Sequence, residues 1–240
     1  MRNLWYNQLV FKLLKSQVSQ HNIVFGIVVV IIFSLLRTIM TNLWVYIFGS
    51  FFFIPTLQFI FFISIFFIII SIVLIYLVLI KLSGNTISTI GWKSDNFTRI
   101  GLYGFGGFIL VYINTIVWAG LTGNLGETPQ LLPFDLIRVL LFAYFGFGLA
   151  AWVEENIFRG YLQHIFITKY GTLKGILLQA LIFSIAHIGF YQNSVNYFSA
   201  FTFGIIIGII REKSGGLVAP FIAHGLYWMI PAFINVSLSL

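Results

Sequence analysis

An all-α, polytopic membrane protein with about seven (six to eight) transmembrane helices is the expected architecture. Three features carry that expectation. Only 8% of the 240 residues are charged, against roughly 25% in a typical soluble domain. Hydrophobic residues make up 60% of the chain, and the mean hydropathy is +1.01. The apolar residues come in runs, several of which reach the ~20 residues that a spanning helix needs.

The runs are 23–47, 51–80, 100–121, 134–165, 175–190, 197–210 and 217–236. Two are short for a span. Charge then orients them, because basic residues collect on the cytoplasmic side. Arg2, Lys12 and Lys15 precede the first run. Lys81, Lys93 and Arg99 stand against Asp95 before the third. Lys169 and Lys174 follow the fourth, and Arg211 and Lys213 stand against Glu212 after the sixth. The alternate loops differ: 122–133 carries only Glu127, and 191–196 carries no charge. Seven spans with a cytoplasmic N-terminus satisfy this pattern, which predicts a multi-pass protein of the cell membrane. Arg37 is the misfit, and snorkelling would accommodate it.

Residues 3–15 are amphipathic. Gln8, Lys12 and Lys15 share one helical face, and Trp5, Leu9 and Leu13 another, which predicts an interfacial helix. Residues 1–99 thus read as this helix and the first two spans, and 100–240 as the core of a single membrane domain. Gly101, Gly104 and Gly107, and the pair Gly204 and Gly208, read as sites of close helix packing. "GLYGFGG" follows no predicted strand, so it is no dinucleotide fingerprint.

The net charge of +7 is spread thinly between apolar runs. It reads as membrane topology, with the bilayer as partner and no nucleic acid. The absence of cysteine excludes disulfides, cysteine catalysis and thiolate metal sites. No small-residue cleavage site follows the first run, so no cleavable signal is expected. Abundant Ile, Phe, Asn and Lys point to an AT-rich bacterial genome.

Against this background "AAWVEENIFRG", residues 150–160, stands out. The chain has six acidic residues, and Glu154 and Glu155 are two of them. Ionisable groups inside a span cost roughly 2.5–3.5 kcal/mol each, so they survive when paired or when they serve a site. Glu155 and Arg159 are four apart and share a helix face. Glu154 lies about 100° around the helix from Glu155 and is less well placed for that arginine. The geometry implies a division of labour: Glu155 pairs with Arg159, and Glu154 points elsewhere, as suits a general base.

Two histidines join this group. "FSIAHIGF" sets Phe183 and His187 on one helical face, and "APFIAHGLYW" carries His224. Counted from the inner ends, His187 lies ~18 Å deep, His224 ~11 Å and Glu154 ~17–21 Å, at ~1.5 Å per residue. One glutamate and two histidines can bind and polarise a water, with or without a metal. The plainer readings are packing for a lone histidine and structure for an i, i+4 ion pair. The second glutamate argues against them, because a structural pair needs only one. His164 and His21 sit near predicted interfaces and read as bland.

"EENIFRG" resembles the EExxxR motif of the CPBP intramembrane proteases, the CAAX-processing and bacteriocin-immunity (Abi) family. "FSIAH" resembles its FxxxH motif, and "HGLYW" its third, usually HxxxN. "STIGWKS" resembles a common cytoplasmic segment of these proteins. Order and spacing agree over about residues 150–230. The resemblance implies a CPBP-type core over 100–240. It implies that Glu154 is the catalytic base, that His187 and His224 hold the water and stabilise the oxyanion, and that Glu155 and Arg159 support them. Phe183 belongs to the second motif. The asparagine of the third falls at Trp228, which has one N–H donor and no acceptor. An indole cannot reproduce the amide that the motif usually supplies there. The cofactor is open between zinc on Glu154, His187 and His224, as in a metalloprotease, and a metal-free glutamate mechanism.

The function expected is an intramembrane endopeptidase acting on a membrane-associated peptide or protein. Two alternatives remain: a CPBP-type scaffold of little or no activity acting through a protein partner, and a proton-coupled carrier. The carrier lacks the inverted repeats common in that class.

Overall fold

The structure is a computed structural model that describes residues 84, 86–93, 96–122, 130–188 and 194–235, with positions 24, 27, 28 and 30–32. The interfacial helix expected at 3–15, His21, Arg37, Glu127 and nearly all of the first two apolar runs lie outside the described residues. So does most of the 1–99 unit.

The described chain is mostly helical. α1 spans Phe97–Leu121 and starts where the Asn96 side chain accepts from the Arg99 N–H at 2.8 Å. α2 spans Leu136–Tyr170. Asp135 caps it by accepting from the Ile137 N–H at 2.9 Å, and Gly171, at φ 82°, ends it. α3 is Thr172–Ile185, α4 is Ser194–Ser214 and α5 is Val218–Met229. A tight turn, Ile230–Ala232, extends α5. Among the described residues, α1, α2 and α4 are long and apolar enough to cross a membrane, and α3 and α5 are shorter apolar helices. These five fall on the third to seventh apolar runs.

Two features depart from the all-α expectation of regular helices. Gln130–Leu131 (β1) pairs antiparallel with Ile234–Asn235 (β2). β1 precedes the start of α2 and β2 follows the turn that extends α5, where backbone groups lack helical partners and take each other instead. Leu132 N–H extends the pairing to Phe233 O at 2.8 Å, and Arg138 ties the same corner by donating to Ala232 O at 2.9 Å and to Pro133 O. The second departure is winding. α2 widens to π-type i→i+5 turns over Tyr144–Ala151 and Glu155–Leu162. Such widening is uncommon and recurs at functional sites.

The core lies around the middle of α2. Every residue from Val153 to Gln163 is buried, so this stretch is enclosed on all sides. The outer face of α1 is the reverse. Leu102, Phe105, Ile109 and Leu110 are exposed, as suits a helix solvated by lipid.

Close approach explains most of the glycine pattern. A Cβ on Gly107 would overlap Ile210 Cδ1, and one on Gly204 would meet Ala180 Cα at 2.9 Å. Gly104 and Gly208 are similarly tight, whereas a Cβ on Gly101 would meet nothing within 4 Å. The tightest crossing joins α5 to α2. There a Cβ on Gly225 would overlap the Phe147 ring, and one on Gly146 would stand 2.7 Å from Gly225 O.

Segment 86–93 braces α2 from behind. Leu217 N–H donates to Gly91 O at 2.8 Å. Trp92 Nε1–H donates to Asn156 Oδ1 at 2.8 Å, and its ring lies 4.9 Å from that of Trp152. Asn156 is fully buried and follows Glu155 directly, so the brace acts on the turn that carries both glutamates.

Candidate active site

Glu154, His187 and His224 stand on α2, beyond the end of α3, and on α5, and the fold brings them together. His187 Nε2 is 3.8 Å from Glu154 Oε1, and His224 Nε2 is 3.9 Å from Glu154 Oε2. These separations exceed a direct hydrogen bond but lie within reach of one shared water. All three residues are buried, with Glu154 at 8% exposure the least so.

Glu155 and Arg159 form the expected pair. Nη1 donates to Oε1 at 3.1 Å, and both side chains are fully buried. Their i, i+4 contact survives the π-type winding. The cation also lies 4.4 Å above the Phe183 ring and 5.8 Å from the Phe203 ring. Their π faces partly replace the water that burial removes.

Phe183 has a second task. Its backbone O lies 2.7 Å from His187 Nδ1. A carbonyl only accepts, so Nδ1 carries the proton, and Nε2 is turned toward Glu154. The rings of Phe183 and His187 are 4.6 Å apart. The Phe183–His187 face read from the sequence therefore works through both ring and backbone.

Glu155 does more than neutralise Arg159, because its Oε1 also lies 2.8 Å from His224 Nδ1. One carboxylate oxygen thus holds the motif arginine and the motif histidine together. Phe203 was also missed by sequence reasoning. It stacks on Phe183 at 5.6 Å and packs edge-on against His224 at 4.8 Å. Within a run of apolar residues nothing marked it out.

Trp228 also behaves unexpectedly. Its Nε1–H donates to His224 Nε2 at 3.0 Å. This bears on the metal alternative. Among the described residues no three His, Asp or Glu side chains form a group that could hold a metal ion. The lone pair with which His224 would ligate accepts the indole N–H instead. The donor set as arranged does not fit zinc. The expectation that both histidines donate to an oxyanion does not fit His224, whose Nε2 accepts from Trp228. His164 is half-buried at the other end of the motif turn; its backbone O accepts from Thr168 Oγ1 at 2.9 Å.

The family model described as "Type II CAAX prenyl endopeptidase Rce1-like" matches residues 135–230. An Escherichia coli protein, the "Uncharacterized 24.3 kDa protein", is 35% identical over 92 residues. That stretch is 38% of this chain and 41% of the relative, so the chain spans about two fifths of the relative it matches. No solved structure matches. The matched segment, 135–230, holds all three motifs from Glu154 to Trp228, and its similarity to the Rce1-like model is consistent with a CPBP intramembrane protease.

Proposed function

We propose that the centre hydrolyses a peptide bond in a membrane-associated peptide or protein. One observation carries the reading: a buried carboxylate, Glu154, stands between the Nε2 atoms of two histidines from other parts of the fold, at 3.8 and 3.9 Å. Glu154 takes a proton from a water, and the water oxygen attacks the scissile carbonyl carbon. The tetrahedral intermediate collapses as the C–N bond breaks, and Glu154 returns the proton to the leaving amine. Glu155, Arg159 and Phe183 hold this geometry. The low-dielectric setting strengthens each donor acting on the developing charge. A cell-membrane location with a cytoplasmic N-terminus fits the charge pattern, and the bacteriocin maturation and immunity of bacterial CPBP proteins suggests the substrate class.

The test is cleavage of a panel of membrane-embedded and lipidated peptides by wild type and Glu154→Gln. The variant should express at wild-type yield and lose cleavage by at least a hundredfold, the scale of general-base catalysis, roughly 10²–10⁴. Equal cleavage by both proteins sinks the reading.

A second reading is a scaffold that works through a protein partner. The Trp228–His224 bond favours it, because it occupies a histidine atom that chemistry could use. Failure of wild type to cut any member of the panel, with a stable partner recovered from the membrane, would decide for it.

A further inference from the structure

Donor chemistry fixes the directions of the hydrogen bonds around His224. An indole N–H only donates, so His224 Nε2 accepts from Trp228 at 3.0 Å. The opposite nitrogen faces the Glu155 carboxylate at 2.8 Å, so Nδ1 carries the proton. Glu155 in turn accepts from Arg159 through the same oxygen. Trp228, His224, Glu155 and Arg159 make one hydrogen-bonded chain from α5 to α2. His224 is 2% exposed, and Glu155 and Arg159 are fully buried. The indole is wedged between Phe145, at 5.2 Å, and Tyr227, at 5.7 Å.

We propose that Trp228 closes the Nε2 lone pair of His224 and so makes His224 a positioning residue, shut off from a metal ion and from a developing oxyanion. A metal needs that lone pair, and it is committed to an N–H. An oxyanion needs a proton on Nε2, and the proton is on Nδ1. His224 then acts through Glu155 by orienting the carboxylate that holds Arg159. His187, bonded through Nδ1 to Phe183 O, is the histidine whose Nε2 faces Glu154 for proton handling. That last role rests on the peptidase reading; the state of the His224 ring does not.

The chain has four histidines, so selective ¹⁵N-histidine labelling of the full chain in nanodiscs gives a short spectrum. Signals are assigned with His187→Gln and His224→Gln. His224 should carry its proton on Nδ1 and none on Nε2, and its Nε2 resonance should move toward the non-hydrogen-bonded position in Trp228→Phe. A Co²⁺ titration read by visible absorption is the second arm. Trp228→Phe should bind Co²⁺ about tenfold more tightly than wild type, the scale of one lost hydrogen bond. The added Trp228→Phe, His224→Gln double variant should abolish the gain. A wild-type His224 with its proton on Nε2, or doubly protonated, overturns the proposal, and this outcome needs no variant to fold. An Nε2 resonance unmoved in Trp228→Phe, or Co²⁺ binding by wild type that His224→Gln abolishes, overturns it as well. Loss of cleavage is not among these readouts, so failure of the peptidase reading is distinguishable.

Discussion

Glu155 Oε1 lies 2.8 Å from His224 Nδ1, across 69 residues of sequence. The same oxygen takes the Arg159 guanidinium at 3.1 Å. The buried ion pair and the third motif are therefore one structural unit.

Glu155→Gln should damage folding. The change leaves a fully buried Arg159 without its counter-charge, and breaking a buried pair costs about 3–5 kcal/mol. Detergent-solubilised yield and the thermal midpoint should both fall well below those of wild type and Glu154→Gln. Matching losses in the two glutamine variants would mean that the carboxylates share one structural role.

Trp92→Phe tests the brace behind α2. It removes the N–H that Asn156 Oδ1 accepts at 2.8 Å and leaves a buried acceptor without its donor. The expected cost is about 1–3 kcal/mol. Thermal unfolding in detergent should show a lowered midpoint, and an unchanged midpoint would mean that the ring contacts alone hold the segment.

Gly225→Ala and Gly101→Ala should behave oppositely. A Cβ on Gly225 overlaps the Phe147 ring, and overpacking costs about 1–3 kcal/mol. A Cβ on Gly101 meets nothing within 4 Å, and alanine gains up to about 1 kcal/mol in helix propensity. Paired thermal melts decide this; a Gly225→Ala protein as stable as wild type would contradict the tight crossing of α5 on α2.

Trp228→Asn restores the residue usual in the third motif. If the centre cleaves peptides, turnover should hold or rise, because an amide supplies a donor and an acceptor. The gain should stay below about 10²–10³-fold, the worth of one oxyanion donor. The measurement is turnover of a membrane-embedded peptide by wild type and variant; a large loss would show that the indole itself is needed.

Sequence alone established what depends on near neighbours. Composition and run length marked the helices, because a bilayer imposes a length and excludes charge. The spacing of Glu155 and Arg159 announced their pairing, because residues four apart meet on one helix whatever surrounds it. The order of the motifs named the residues that converge. Tertiary structure decided the rest. Phe203 against His224, Trp92 on Asn156 and Glu155 on His224 join residues 21 to 69 apart. Such contacts depend on how helices cross, and crossing is set by packing at positions such as Gly146 and Gly225 rather than by any local pattern. Trp228 shows the same limit within a single turn. Its sequence position revealed a departure from the motif, but only the packing of its indole among Phe145, Tyr227 and His224 determined where its one N–H goes.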